Sequence, residues 1–206
     1  AAGGGQLFIL ASSNKTLCQW DASQDKFGWY GSNQAAPQQA ECLAVDPQGN
    51  PWIVSDYKIY YYEGKTAKLL GGNGMALGIA IGADGSVFVI GLDSCVYRLN
   101  VKSNAAPTAT NPAWERLSNS QTAEKIAADQ GGTPWIISKG QVLKFVSSNS
   151  SWEKQEGIDQ ATELAAGGNQ VHVLRKPSFV CLKHWRFRNN NAASSNKKAH
   201  IEELEK

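Results

Sequence analysis

The sequence lacks any apolar run close to the roughly 18 residues that a membrane-crossing helix requires. Only 18% of its 206 residues are charged, and the formal net charge is +2. This small charge excludes a general electrostatic footprint for nucleic acid. Methionine occurs once, whereas glycine and tryptophan are frequent, with 20 and 7 residues. This balance favours many short strands and tight turns over a helical bundle.

The common catalytic and metal-binding motifs are also missing. The sequence contains no Gly-x-Ser-x-Gly elbow, no P-loop, no His-Glu-x-x-His and no Cys-x-x-Cys spacing. We therefore expect no enzymatic activity, no cofactor and no bound metal. Three acidic residues could line a channel and hold a cation, but their place in tight turns explains them without one. They are Asp46, Asp84 and Asp129.

An internal repeat is the main signal. Four segments read Ala-x-x-Leu/Ile-Ala, and their first alanines are 36, 47 and 38 residues apart. Each is followed by a turn rich in Gly, Asp or Asn, which suits a tight hairpin, and then by a short apolar strand. The segments cover residues 40–44, 76–80, 123–127 and 161–165.

A third apolar segment follows in five copies, at residues 17–20, 59–62, 96–99, 142–145 and 180–183. Trp29, Trp114 and Trp152 are predicted to open a fourth segment, where the second unit has Ala67. Four short strands in each unit of this length are typical of a β-propeller blade. A sandwich of unrelated hairpins is the alternative, but it does not explain why the columns recur in register.

We therefore predict an all-β fold, a β-propeller of five to six four-stranded blades over residues 1–185, followed by an irregular tail at 186–206. Residues 1–8 align without a gap on 165–172, so the sequence begins inside the first strand of a repeat. Either the start of the domain is missing, or the C-terminus supplies that strand in a closing blade. The predicted repeats are 1–36, 37–74, 75–121, 122–159 and 160–185.

The third unit, residues 76–114, resembles the tectonin repeat, and the resemblance extends over residues 1–185. It rests on Ala-x-x-Ile-Ala-x-Gly-x-Asp-Gly-x-Val-Phe-Val-Ile, followed by Val-Tyr-Arg and then Trp. The family implies a propeller, often with six blades. Some members are lectins for lipopolysaccharide, methylated glycans or cell-surface sugars, and others are interaction modules in larger assemblies. Phe8, Phe88 and His172 depart from the family's second-strand tryptophans.

Six residues are candidates for ligand binding. Tyr61 shares a third-strand column with polar residues, so its ring is expected to face solvent, and Tyr57 lies in the preceding loop. An exposed ring beside polar groups suits a sugar, because the ring packs on C–H groups while its neighbours bind hydroxyls. Two tryptophans that follow loops either anchor their blades or rim a pocket. The candidates are Tyr57, Tyr61, Arg98, Trp114, Lys144 and Trp152.

The expected function is non-enzymatic glycan binding through shallow sites repeated at the blade edges. The alternative is a scaffold that binds protein or lipid within a larger assembly. Residues 175–206 carry eight basic and three acidic residues, so the tail is either a solvated end or a docking peptide for an acidic partner. Cysteine usage does not fix the compartment, and an extracellular or cell-surface location is favoured over the cytoplasm. Free, packed thiols are expected at Cys18 and Cys181.

Overall fold

The computed structural model describes residues 1–31, 37, 39–70, 75–100, 113–118, 121–167 and 170–176. The strands of blade 1 are β1 (Ala2–Gly3), β2 (Gln6–Leu10), β3 (Leu17–Asp21) and β4 (Lys26–Trp29). Blade 2 has β5 (Cys42–Val45), β6 (Pro51–Ser55), β7 (Lys58–Glu63) and β8 (Thr66–Leu69). Blade 3 has β9 (Ala76–Ile81), β10 (Val87–Gly91), β11 (Val96–Asn100) and β12 (Ala113–Arg116). Blade 4 has β13 (Lys125–Ala128), β14 (Pro134–Ser138), β15 (Gln141–Val146) and β16 (Ser151–Lys154), and blade 5 has β17 (Ala161–Gly167) and β18 (Gln170–Arg175).

Each of the first four blades is an antiparallel sheet whose strands pair in chain order. The first strands of successive blades contact one another, which places them nearest the common axis. The prediction of an all-β propeller is confirmed by this arrangement. The predicted third strand of blade 5 at 180–183 and the tail at 186–206 lie outside the described residues, as do Cys181, His184 and His200.

The hydrophobic core is divided among the junctions between blades. Four clusters of buried residues each join one blade to the next, and their members alternate along the strands. In blade 2, Trp52 and Val54 pack toward blade 3, whereas Ile53 packs toward blade 1. We call the side of a sheet that meets the following blade its forward face, and the other side its rear face. Successive side chains of a strand point to opposite faces of the sheet, so a strand that is covered on both faces contributes alternate residues to two clusters.

The aromatic residues of the second strands, Trp52, Phe88 and Trp135, form a column on the forward face that is largely buried. Trp52 and Phe88 are buried, and Trp135 is half-buried against the cluster between blades 4 and 5. A third-strand residue lies opposite each aromatic ring, since Trp52 pairs with Tyr61 and Trp135 pairs with Lys144. The forward faces of blades 2, 3 and 4 are therefore each built around one large ring.

Two of the aspartates in the turns accept hydrogen bonds from these rings. Asp46 accepts the indole N–H of Trp52 at 3.3 Å, and Asp129 accepts that of Trp135 at 3.0 Å. Backbone N–H groups of the same turns fill the other acceptor sites, including those of Asn50 on Asp46 and of Thr133 on Asp129. Burial acts to raise the pKa of Asp129, but the indole, the backbone amides and Lys144 outweigh it and lower the pKa. These acids fix the turn and the ring together.

Blade 3 replaces this acid–indole pair with Gly82 and Phe88. A Cβ at Gly82 would lie 2.8 Å from Cα of Gly132 in blade 4 and 2.6 Å from Oδ1 of Asp84. No side chain fits at that distance, so the close approach of the turns of blades 3 and 4 requires glycine there. Without an acid, phenylalanine replaces the tryptophan, whose N–H would lose its acceptor.

Cross-strand register corrects one part of the predicted repeat. Trp114 lies opposite Leu99, and Trp152 lies opposite Phe145. In blade 1 the equivalent pair is Phe27 opposite Trp20, not Trp29. Trp29 ends β4 rather than opening it, so its assignment to the tryptophan column was wrong. The shift of two residues leaves it on the same face but at the edge of the sheet.

Candidate binding surface at the junction of blades 2 and 3

A repeated hydrogen bond joins successive blades on one face of the propeller. The backbone N–H of the first alanine in each Ala-x-x-Leu/Ile-Ala segment donates to a carbonyl in the second hairpin turn of the preceding blade. These alanines are buried, which explains why the repeat begins with the smallest side chain. The four bonds run from Ala40 to Lys15 at 3.2 Å, Ala76 to Tyr57 at 2.8 Å, Ala123 to Ser94 at 2.7 Å, and Ala161 to Gly140 at 2.9 Å.

The four accepting residues have left-handed backbone conformations, with φ of 52°, 59°, 63° and 74° in chain order. Glycine or a small polar residue suits this region, and a bulky side chain there is uncommon. Tyr57 is the bulky exception. Asp56 also has a positive φ, as expected of a two-residue hairpin turn. An aromatic residue retained in a strained conformation is a reason to look for function at that position.

The residues next to Tyr57 are also unlike their counterparts at other junctions. The residue before the linking alanine is Met75 here, but Gln39, Thr122 and Gln160 elsewhere. The residue after it is Leu77 here, but Glu41, Glu124 and Thr162 elsewhere. The side chains of Tyr57, Met75 and Leu77 are all exposed. Polar residues satisfy the fold at the equivalent positions, so the apolar residues are specific to this junction.

Leu92 completes the group. Gly91 pairs with Ala76 across the sheet, with a bulge that leaves Leu77 without a partner in the register. Leu92 follows Gly91 in the chain, and Met75 forms a bridge with Lys58 beside Tyr57. The backbones of all four residues are therefore within one residue of the Tyr57–Ala76–Gly91 contact. We call this group the junction patch: Tyr57, Met75, Leu77 and Leu92, with 42%, 46%, 42% and 49% of their surfaces exposed.

Two ion pairs include residues that are adjacent in the chain to Tyr57 and Leu92 of the junction patch. Lys58 lies 3.7 Å from Asp56, and Arg116 lies 3.8 Å from Asp93. Burial acts to raise the pKa of Asp93, but the N–H of Cys95, the hydroxyl of Tyr97 and the charge of Arg116 outweigh it and lower the pKa. The Tyr97 hydroxyl donates to Asp93 at 2.8 Å. These ion pairs therefore lie next to the apolar residues of the junction patch in the chain.

The structure separates the six predicted site residues. Only Tyr57 belongs to the junction patch. Arg98 is exposed on β11 and donates to the Ser86 hydroxyl at 3.4 Å, and the Lys144 ammonium lies 5.4 Å from the ring centre of Trp135. These two side chains belong to different blades, and neither joins Tyr57 in one site.

The predicted exposure of Tyr61 was wrong. Its side chain is 7% exposed and its ring centre lies 5.4 Å from that of Trp52, inside the cluster between blades 2 and 3. The polar residues in its column indicated a solvent position, but they cover the second-strand aromatic ring from the same face. A tyrosine at this position becomes part of the core.

The two tryptophans are half-buried on outer strands. Trp152 packs edge-to-face on Phe145, with ring centres 5.1 Å apart. Trp114 packs against the cluster between blades 2 and 3, and its buried indole N–H has no hydrogen-bond partner. Sequence reasoning missed Met75, Leu77 and Leu92 altogether. A column-by-column comparison of the repeats carried the signal for two of them, because Met75 and Leu77 replace residues that are polar at the other junctions.

Within the described residues, no group of three or more His, Cys, Asp or Glu side chains is arranged to hold a metal ion. The described part of the chain also has no helix with the length and hydropathy of a membrane span. Cys18, Cys42 and Cys95 are free thiols.

No family model and no curated protein sequence matches the chain. Among solved structures, it is similar to a gluconolactonase of Xanthomonas campestris, with a TM-score of 0.62, 12% identity, and coverage of 83% of this chain and 66% of that one. It is also similar to YCF48 bound to D1 peptide (TM-score 0.53, 15% identity, 82% and 57% coverage). A chain of the nidogen–laminin complex is similar too (TM-score 0.55, 13% identity, 72% and 58% coverage).

These likenesses show the β-propeller fold, and the chain spans between 57% and 66% of the length of the three proteins. They do not show the tectonin family in particular. They also overturn the prediction that the chain is not an enzyme, because a similar propeller is a gluconolactonase. The missing hydrolase, P-loop and zinc motifs exclude those mechanisms only, and the fold gives no ground for excluding others.

Proposed function

We propose that the chain is a protein-binding β-propeller that contacts its partner through the junction patch. The observation that carries this proposal is the replacement of polar residues by Met75 and Leu77 at one junction only. Exposed apolar side chains beside each other cost solubility and give the fold nothing that the polar counterparts do not provide. A binding partner is what such residues are suited to.

The rigid frame of the patch supports the same proposal. The Ala76–Tyr57 bond and the pairing of Ala76 with Gly91 hold the backbone of all four residues before any partner arrives. A preformed surface loses little conformational freedom on binding, which favours affinity. Two of the similar structures are complexes, YCF48 bound to D1 peptide and the nidogen–laminin complex, so the fold has precedents in structures of protein complexes.

Glycan binding is the weaker proposal. A repeated sugar site needs the same exposed aromatic and polar pair in several blades. Tyr57 is replaced by Lys15, Ser94 and Gly140 at the equivalent turns, and Tyr61 is buried. The apolar character of Met75, Leu77 and Leu92 also offers no hydrogen-bonding group for hydroxyls.

Selection from a random peptide library tests the proposal. The test variant carries Met75→Gln and Leu77→Glu, which are residues found at other junctions, and the control variant carries Leu174→Gln on exposed β18. We expect peptides rich in apolar residues to bind the natural chain and the control, and to lose binding to the test variant. Peptides that bind all three alike, or a screen that enriches none, would contradict the assignment. A glycan array run on the same three proteins separates the sugar alternative.

A further inference from the structure

Two exposed turns carry the triplet Asn-x-Ser/Thr, which is the acceptor sequence for N-linked glycans. They are Asn14-Lys15-Thr16, at the turn between β2 and β3 of blade 1, and Asn149-Ser150-Ser151, at the turn between β15 and β16 of blade 4. The middle residue of neither triplet is proline, as the acceptor sequence requires. Both asparagine side chains are exposed. Neither turn belongs to the junction patch, so the observation is independent of the proposed function.

The two triplets have the same local conformation. The side-chain oxygen Oδ1 of Asn14 accepts the backbone N–H of Thr16 at 3.1 Å, and Oδ1 of Asn149 accepts that of Ser151 at 3.2 Å. The middle residue of each triplet has a φ of 52°. The Ser151 hydroxyl also donates to Oδ1 of Asn149 at 2.8 Å. Each turn is therefore held by the oxygen of the asparagine side chain, in the manner of an Asx turn.

The fold does not require asparagine in turns of this kind. The hairpin of blade 3 that corresponds to the first triplet reads Asp93-Ser94-Cys95, and Oδ1 of Asp93 accepts the N–H of Cys95 at 3.0 Å. The same contact joins Asp84 to the N–H of Ser86 at 2.9 Å. Aspartate therefore forms this turn as asparagine does. What asparagine adds is the amide nitrogen Nδ2, which a carboxylate lacks.

The amide nitrogen is the atom to which an N-linked glycan is attached, and it is open in both turns. Within the described residues, Nδ2 of Asn14 and Nδ2 of Asn149 donate no hydrogen bond, whereas Oδ1 of each has a partner. A glycan on Nδ2 leaves the contact of Oδ1 intact. The fold can therefore carry a glycan at either position without losing the hydrogen bond that holds the turn.

We infer that Asn14 and Asn149 are acceptor sites for N-linked glycans. In the transfer, Nδ2 forms a bond to C1 of the first sugar, and the bond breaks between C1 and an oxygen of the pyrophosphate that links the sugar to a polyisoprenyl lipid. The lipid pyrophosphate leaves with the bonding electron pair, and one amide proton passes to a base of the transferase. The third residue of each triplet supplies the hydroxyl that the acceptor sequence requires.

Enzymatic release in heavy-oxygen water tests the inference on protein purified from the cells that make it. Peptide N-glycosidase converts a glycan-bearing asparagine to aspartate, which takes up the heavy oxygen. We expect mass spectrometry of proteolytic peptides to find this label at Asn14 and Asn149, and none at Asn100, which lacks the acceptor sequence. A digest without the glycosidase controls for spontaneous deamidation. Unlabelled asparagine at both positions overturns the inference, and a label at one position alone overturns it for the other.

Secretion of the full chain from a eukaryotic host, behind a cleavable leader, gives a second measurement with matched variants. Asn14→Asp and Asn149→Asp should each remove one glycosidase-sensitive glycan, and the double variant should have the bare chain mass of 22.2 kDa. Ser148→Ala, beside the second triplet but outside it, should keep both glycans. Aspartate retains Oδ1, so each variant should have the same urea midpoint as the deglycosylated natural chain. A natural chain secreted with the bare mass overturns the inference, as does a glycosidase-sensitive glycan that persists in the double variant.

Discussion

The junction between blades 2 and 3 and the junction between blades 3 and 4 have the same backbone and different surfaces. Both are linked by an alanine N–H and a turn carbonyl, at 2.8 Å for Ala76 and 2.7 Å for Ala123. Met75 and Leu77 flank the first alanine, whereas Thr122 and Glu124 flank the second. The same hydrogen bond forms with either pair of flanking residues, so the fold does not require one pair over the other. The alanines belong to the architecture, and the residues beside them are free for recognition.

The largest effect is expected where the two junctions are alike. Ala76→Leu and Ala123→Leu each place a large side chain where the alanine is buried beneath the link. Overpacking of this kind costs about 1–3 kcal/mol. We expect both variants to lower the free energy of unfolding by similar amounts, measured by urea denaturation.

Exposed neighbours provide the matched controls for these variants. Thr122→Leu and Met75→Leu change residues beside each alanine that face solvent, and surface changes of this kind usually stay within about 0.5 kcal/mol. If Ala76→Leu were tolerated while Ala123→Leu was not, the two links would not be equivalent. The separation of architecture from recognition would then fail.

The next effect concerns the acid–indole pair of blade 4, which blade 3 lacks. Asp129→Asn weakens the bonds from the Trp135 indole and from the turn amides, and hydrogen bonds to a charged group contribute about 1.5–3 kcal/mol each. Asparagine keeps one acceptor oxygen, so we expect a loss of about 1–2 kcal/mol at neutral pH. Urea denaturation at several pH values measures it.

The pH dependence of this loss follows from the lowered pKa of Asp129 in the folded chain. The stabilisation is present above the ordinary aspartate pKa of about 3.9, and it disappears as the pH falls through the lower folded value. The difference between the natural chain and Asp129→Asn should therefore shrink on acidification. Asp159→Asn, an exposed acid 3.9 Å from Lys154, is the control. A difference that stays constant with pH would show that the charge of Asp129 contributes nothing.

Much of the fold could be predicted from the sequence because blades impose periodic demands. The Ala-x-x-Leu/Ile-Ala segment indicates both the buried alanine that hydrogen-bonds to the preceding blade and the first strand of its own blade. The Gly-rich turns indicate the hairpins that follow. Burial of Tyr61 was not predictable from the polar residues in its column. Polar side chains such as Lys144 lie over the second-strand aromatic ring in the same way as Tyr61, but they keep their charged ends in solvent. The column to which Trp29 belongs could be assigned only from the cross-strand register, which the sequence alone does not give. The junction patch was missed because Met75, Leu77 and Leu92 do not form a sequence motif. They stand out only when the repeats are compared with one another.

A smaller effect of opposite sign is expected at Tyr57. Its φ of 59° is close to the 74° of Gly140, which accepts the same link in blade 4. Glycine adopts this conformation without strain, so Tyr57→Gly should raise the free energy of unfolding by about 0.5–1 kcal/mol while removing peptide binding. Thermal and urea denaturation, with the library peptides as the binding probe, measure both. A variant that is less stable would show that the tyrosine serves the fold instead.

The smallest effect on stability is expected from building the patch at the other junction. Thr122→Met and Glu124→Leu give the junction of blades 3 and 4 the flanking residues of Ala76, at exposed positions. Glu124 accepts the N–H of Lys139 at 2.8 Å in an exposed turn, and water replaces this bond, so the change should stay within about 0.5 kcal/mol. Peptides selected on the natural chain should then gain weak binding to this variant in a background that carries Met75→Gln and Leu77→Glu. Full recovery is not expected, because Ser94 stands in place of Tyr57. No recovery at all, in a chain of unchanged stability, would mean that the aromatic ring and not its apolar neighbours carries recognition.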